Sequence, residues 1–261
     1  MHHPGKANTH DQLRRGIFVQ TRNINYQADG LSMDSQLFYE PAAGKKPGIL
    51  VFPEVFGLGE HALSRAKQLA SLGYVVLACD LHGGRRIIHD FNQIRPILES
   101  LRSDVARMRA RARGGLDALR ACPEVDPDRI AAIGYCFGGT MALELARSGA
   151  DISGVVGFHS GLGTVAAQDA GNIKAKVLVC IGADDPSIPP EQRRAFEDEM
   201  RNAKVDWQMT VFGGVVHSFT NPESDKRGRP EMARYDARAD ARSWRQMREL
   251  FDEIFDGKSG E

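Results

Sequence analysis

A cysteine thiol is a modest nucleophile until something takes its proton, and the hexapeptide Gly134-Tyr135-Cys136-Phe137-Gly138-Gly139 is a place built to do that. It follows the apolar run RIAAI and precedes the helix-forming TMALELAR, so it reads as a sharp turn from strand into helix. Glycines two residues either side of Cys136 leave room for strand and helix to approach while the nucleophile itself is held strained. The start of the helix then lends partial positive charge to a thiolate and to an oxyanion forming beside it. A nucleotide-binding turn would instead need G-x-G-x-x-G, which this segment lacks. A nucleophile needs a base, and the base needs an orienting acid, both from loops at the ends of later strands. Gly182-Ala183-Asp184-Asp185-Pro186-Ser187-Ile188-Pro189 supplies the acid and Val215-Val216-His217-Ser218-Phe219 the base, in the order nucleophile, acid, histidine. Asp185 fits the loop pattern G-x-x-D-x-x-I-P better than Asp184. An oxyanion would be met by the backbone N–H of Phe137 and by that of Val55, in the loop Phe52-Pro53-Glu54-Val55-Phe56-Gly57-Leu58. Glu54 is the awkward residue there, because its charge would repel the oxyanion unless it is protonated or turned toward another group.

Those residues must be positioned by something, and the rest of the pattern shows what. From Gly16 to Pro41 two extended segments, IFVQTRNINYQ and LSMDSQLFYEP, flank the turn Ala28-Asp29-Gly30 and predict a hairpin. Beyond Pro47 short apolar runs alternate with helix-period stretches, the sign of a mostly parallel sheet covered on both faces. The strands read GILVFPEV, YVVLACD, RIAAIGYC, ISGVVGFH, KVLVCIGADD and WQMTVFGG. Helices are predicted around Glu60–Leu72, Asn92–Ala121, Gly139–Arg147, Pro190–Asn202 and Ala233–Phe255, the last carrying an apolar stripe of Trp244, Met247, Phe251 and Ile254. The fold class is α/β. The polar stretch from Asn221 to Glu231 reads as a loop.

Composition narrows the function classes. Lys plus Arg and Asp plus Glu are each 34, so no global field draws the chain to nucleic acid or an anionic membrane. The run RMRARARGG sits in a helical stretch and reads as a solvated face. No apolar run reaches the ~18 residues of a membrane span, and the opening MHHPGKANTHDQLRR lacks the apolar middle of a secretory signal, so a cytoplasmic protein is expected. Cys79, Cys122 and Cys180 form no C-x-x-C pair with Cys136 or one another and read as reduced structural thiols, without a zinc site or disulfide framework. His2 and His3 lie in a polar terminus expected to be mobile.

Glu54-Val55-Phe56-Gly57, Gly134 to Gly139 and His217-Ser218-Phe219 together resemble the dienelactone hydrolase (carboxymethylenebutenolidase) family, over about residues 16 to 256. The resemblance implies an α/β-hydrolase fold with an eight-stranded sheet and no large lid, and no metal or organic cofactor. It implies that Glu54 pairs with the resting thiol and takes its proton when substrate binds. It also implies arginines that hold a substrate carboxylate. Thr220 and Asn221 stand where one of these would follow the His-Ser-Phe triplet, and Arg85, beside Arg86, is the nearest candidate for another. The expectation is one α/β-hydrolase domain over residues 16–256 after an extension at 1–15. It would cleave a lactone or small ester through a Cys136 acyl-enzyme, with His217, Asp185 and Glu54 catalytic and Val55, Phe137 and Arg85 contacting substrate. The partner would be that small molecule, with no nucleic acid or membrane, and the chain a monomer or small homo-oligomer. A broad-range carboxylesterase or thioesterase is the alternative, and a non-catalytic binding module on the same fold is the reading from another class.

Overall fold

A computed structural model describes residues 18–256, so the predicted extension at 1–15 lies outside the described residues. Eight strands form one sheet: β1 (Gln20–Ala28), β2 (Leu31–Tyr39), β3 (Lys46–Phe52), β4 (Val75–Ala78), β5 (Val125–Tyr135), β6 (Gly154–Phe158), β7 (Lys176–Gly182) and β8 (Trp207–Phe212). Their spatial order is β1-β2-β4-β3-β5-β6-β7-β8. The opening hairpin β1–β2 is antiparallel and joins β4 antiparallel, while β4, β3, β5, β6, β7 and β8 run parallel. Asp29 and Gly30 close the hairpin with positive φ, as a tight two-residue turn requires. The central parallel strands are buried along nearly their whole length, which is why they read as continuous apolar runs rather than alternating ones.

Helices α1 (Glu60–Ala70) and α6 (Ala237–Asp256) cover one face, where Leu69, Met247 and Phe251 pack on Ile49, Val76 and Ile133. Helices α2 (Phe91–Ser103), α3 (Val105–Arg120), α4 (Phe137–Arg147) and α5 (Pro190–Asn202) cover the other. The stretch predicted as one helix from Asn92 to Ala121 is two. Asp104 leaves the helical conformation and its carboxylate accepts hydrogen bonds from the N–H groups of Ala106 and Arg107, capping a new helix. The Arg-rich run in α3 is not a solvated face throughout. Arg111 is 5% exposed and donates to Asp29 and to the carbonyl of Leu81, Arg107 donates to Asp29, and Arg109 reaches Glu144 and Asp169. Carboxylates from the hairpin turn and from α4 turn that charge run inward, which the spacing along one helix could not reveal. Among the described residues no helix is long and apolar enough to cross a membrane.

The strand order reverses direction at β3, from which the chain runs outward to β4 on one side and to β5 and beyond on the other. The crevice at the carboxyl ends of β3 and β5 is therefore the place where such a sheet offers a ligand site.

Candidate active site

Cys136 is the first residue past β5 and caps α4, with φ 55° and ψ −121°, a backbone region that costs a non-glycine residue about 1–3 kcal/mol. The flanking glycines allow it: a Cβ on Gly134 would lie 2.1 Å from the carbonyl oxygen of Gly138, and one on Gly138 would lie 2.3 Å from that of Phe52. Cys136 is half-buried, whereas Cys79, Cys122 and Cys180 are buried. Burial pushes the thiols of Cys79, Cys122 and Cys180 up, that of Cys180 to about 12, so none of them offers a thiolate near neutral pH.

Asp185 and His217 meet at the ends of β7 and β8, His217 Nδ1 lying 2.7 Å from Asp185 Oδ2. The other carboxylate oxygen of Asp185 accepts from the backbone N–H of Ser187, 2.8 Å away, which fixes the acid's rotamer, while Asp184 is exposed. Burial alone would lower the His217 imidazole. The charge of Cys136 as a thiolate and the Asp185 carboxylate outweigh that burial and raise it to about 10. The loop carrying His217 is laced to the segment before α6: its N–H donates to the carbonyl of Met232 and its carbonyl accepts from Arg234.

Glu54 and Val55 follow β3 in a tight turn closed by Gly57 N–H on the Glu54 carbonyl, 3.1 Å away. Glu54 does not carry its resting charge toward the thiol as the resemblance implied. Its Oε1 accepts from Ser218 Oγ at 2.8 Å, and its Oε2 accepts from Asn221 Nδ2 at 2.6 Å and Arg227 Nη2 at 2.9 Å. Burial would raise this carboxyl, but the Arg227 guanidinium and those hydrogen bonds hold it below its ordinary value. It is an ionised, compensated group, and the repulsion that its position suggested is cancelled by Arg227. Arg227 also donates to Ser218 Oγ and lies over the Phe56 ring, 4.8 Å from its centroid.

Arg85 is turned away from the crevice. Its guanidinium donates to the Asp34 carboxylate, to the carbonyls of Asp34 and Ser35 and to Asn23, tying the loop after β4 to the hairpin. The partners are the Asn23 amide of β1 and backbone and carboxylate groups of β2, so the sequence expectation of a substrate-binding Arg85 is corrected. Phe137 is the first residue of α4, and the helix's next residue, Gly138, lies close against the Phe52 and Pro53 carbonyls of the turn that carries Val55, so both expected oxyanion donors belong to one neighbourhood.

Four residues of this neighbourhood were given no role by the sequence. Arg227 ends a 3-10 turn at Pro222–Arg227 that Asn221 caps, inside the stretch read as a plain loop, and nothing in a loop of mixed charge marks one arginine. His82 Nε2 lies 2.8 Å from the Val55 carbonyl, so it donates there and holds the turn beside the nucleophile. His159, in the first position past β6, packs its ring edgewise on His217 with centroids 5.1 Å apart. The apolar strand ending in Gly157-Phe158-His159 was the single available hint, since a histidine at a parallel strand's carboxyl end faces the site. Among the described residues no group of three or more His, Cys, Asp or Glu is placed to hold a metal ion.

An eight-stranded, mostly parallel sheet with the nucleophile candidate on a strand-to-helix elbow defines an α/β-hydrolase-fold protein. A model of the dienelactone hydrolase family matches residues 33–255, and the chain belongs to that family of hydrolases. The solved protein m3DLH is 50% identical over 92% of this chain and all of its own, with a TM-score of 0.87. A dienelactone hydrolase-like promiscuous phosphotriesterase from metagenomic libraries is 45% identical, covers 90% of this chain and 98% of its own, and superposes with a TM-score of 0.87. The probable 2-oxo-3-(5-oxofuran-2-ylidene)propanoate lactonase of Bradyrhizobium is 26% identical over 77% of this chain and 86% of its own.

Proposed function

We propose that this protein hydrolyses an uncharged lactone or small carboxylic ester through a covalent Cys136 acyl-enzyme. The observation that carries the reading is one strained, half-buried cysteine whose charge helps raise the affinity for a proton of an imidazole that Asp185 orients at 2.7 Å. The Cys136 thiolate attacks the carbonyl carbon, and the oxyanion is met by the N–H groups of Phe137 and Val55. His217, charged at neutral pH by its raised affinity for a proton, then gives that proton to the departing alkoxide, leaving a thioester on Cys136. Neutral His217 takes a proton from water, hydroxide adds to the thioester, and collapse releases the acid and restores thiolate and imidazolium.

The uncharged substrate class is supported by the pairing of two arginines, Arg85 with the hairpin and Arg227 with Glu54. A phosphotriester is the second reading, favoured by the relative named a promiscuous phosphotriesterase, since a triester is also uncharged and presents an electrophilic centre to the same thiolate.

The test is rapid-quench mass spectrometry with a p-nitrophenyl ester, a neutral lactone and a phosphotriester. An acyl or phosphoryl adduct on Cys136 is expected, with turnover lost by several powers of ten in Cys136→Ala and His217→Ala while the fold survives. An adduct on any other residue, or full activity in Cys136→Ala, overturns the reading. Arg85→Ala should change KM equally for a carboxylate-bearing and a neutral lactone; a selective rise for the anionic one would return Arg85 to the substrate site.

A further inference from the structure

The backbone N–H of Cys136 has two acceptors. One is the Phe158 carbonyl at 3.0 Å, and the other is Nδ1 of His159 at 3.1 Å. A ring nitrogen that accepts carries no proton, so His159 is the Nε2–H tautomer, and its Nε2 donates to Thr220 Oγ1, 2.8 Å away. Thr220 lies three residues past His217, and its carbonyl is held in turn by His61 and Arg65. The same fully buried ring packs edgewise on His217 and on Phe219, with centroids 5.1 and 5.2 Å away. His159 itself has φ 42°, a left-handed backbone held by its surroundings.

We propose that His159 is a positioning residue: as the neutral Nε2–H tautomer it clamps the nucleophile's backbone to the loop and ring of the catalytic base, setting the alignment of Cys136 and His217. This rests on the reading of Cys136 as nucleophile and adds a residue to it. From the end of β6 one imidazole touches the nucleophile's N–H past β5 and both the ring and the loop of the base past β8, which share no other single side-chain bridge among the hydrogen bonds of the described residues. Its protonation is opposed chiefly by burial. Burial first, then the charges of His217 and Arg227, hold it well below its ordinary value, and Tyr135 brings no compensating acid. The strained elbow thereby keeps two acceptors on the N–H that fixes where Sγ points, and an error of about 1 Å in such an alignment costs about a hundredfold in rate.

The experiment compares His159→Phe with His159→Asn in the ester assay, with kcat expressed per thiol titrated by iodoacetamide. Phe keeps the bulk and the ring but no acceptor, whereas Asn places Oδ1 where Nδ1 stood and can accept the Cys136 N–H. Phe is expected to lower kcat about 30- to 100-fold with KM within threefold, and Asn to recover at least tenfold of that loss. A ring that merely fills the core predicts the reverse order, Phe near normal and Asn impaired, and that outcome overturns the proposal. Should His159→Phe not fold, Thr220→Val removes the acceptor of Nε2–H, a hydroxyl that also lies 3.3 Å from His61 Nε2; about a tenfold loss in kcat that His61→Phe does not reproduce supports the clamp, and a kcat within twofold of the parent overturns it. Cys136→Ala in the same assay separates the two readings. Activity there sinks the nucleophile itself, whereas a dead Cys136→Ala beside a normal His159→Phe sinks only the clamp.

Discussion

At the scale of single residues, the crevice works by compensating charge rather than by excluding it. Glu54 would be a liability beside an oxyanion were it not for Arg227, whose own side chain is part-exposed over Phe56. Removing one partner of such a pair leaves a buried charge uncompensated, which is costlier than removing both. Arg227→Met should therefore lower kcat more than Glu54→Gln does, by about tenfold or more, and the double variant should recover most of the difference. A double-mutant cycle on kcat/KM checks this, and strictly additive losses would mean that the pair does not act on the reaction together. Glu54 was visible in the sequence because it stood beside a motif, but Arg227 was not, because it ends the 3-10 turn that follows the base's loop and reaches Glu54 only through the chain's return path.

At the scale of elements, the decisive contact is between the start of α4 and the end of β3. The helix is buried at every position from Phe137 to Arg147, which explains its small and apolar residues, and its two charged side chains, Glu144 and Arg147, pair with each other and with Arg109 and Glu199. The backbone approach at Gly138 lets the first turn of α4 and the loop carrying Val55 address one point. A Cβ there would lie 2.3 Å from the Phe52 oxygen and 2.4 Å from the Pro53 oxygen. Backbone cannot yield as a flexible side chain can, so Gly138→Ala should cost about 1–3 kcal/mol of stability and, in the fraction that folds, about a hundredfold in kcat. Urea unfolding and steady-state kinetics measure both, and a variant with normal kcat would show that the approach does not set the site.

At the scale of the whole molecule, buried imidazoles make stability depend on pH from both sides. His61 is lowered to about 4 by burial, His82 is lowered by burial, and His159 is held well below its ordinary value of 6.5. These folded values lie below the unfolded one, so the unfolded chain binds more protons in acid. Their stabilisation is whole above pH about 6.5 and is lost as pH falls toward 4. His217 has the opposite sign: its value is raised to about 10, so its contribution is whole below about 6.5 and lost as pH climbs through 10. Greatest stability is therefore expected near neutrality, with on the order of 1 kcal/mol lost for each of His61 and His159 between pH 7 and 5.5. Urea midpoints at pH 5.5, 7 and 9.5 test the sign on each side. A flat profile would mean that these imidazoles are not held neutral by the fold.

What the sequence by itself determined is whatever is encoded within about ten residues: the strand-turn-helix around Cys136, the acid loop of Asp185, the strand end before His217 and the alternation that makes a parallel sheet. Local sterics and periodicity act over that range, so Gly134, Gly138 and Gly139 could be read as a close approach before any partner was known. The break between α2 and α3 at Asp104 was equally local and was missed because the helical periodicity continues across it. What only the tertiary structure decided is where free charges and ring nitrogens find partners. Arg85 and Arg111 face the hairpin turn and its strands, Arg227 faces Glu54 at 173 residues' separation, and His159 and His82 pin the backbones of Cys136 and Val55. A charged side chain goes wherever its desolvation is best compensated, and that depends on the whole set of loops gathered at the carboxyl edge of the sheet, not on its neighbours in the chain.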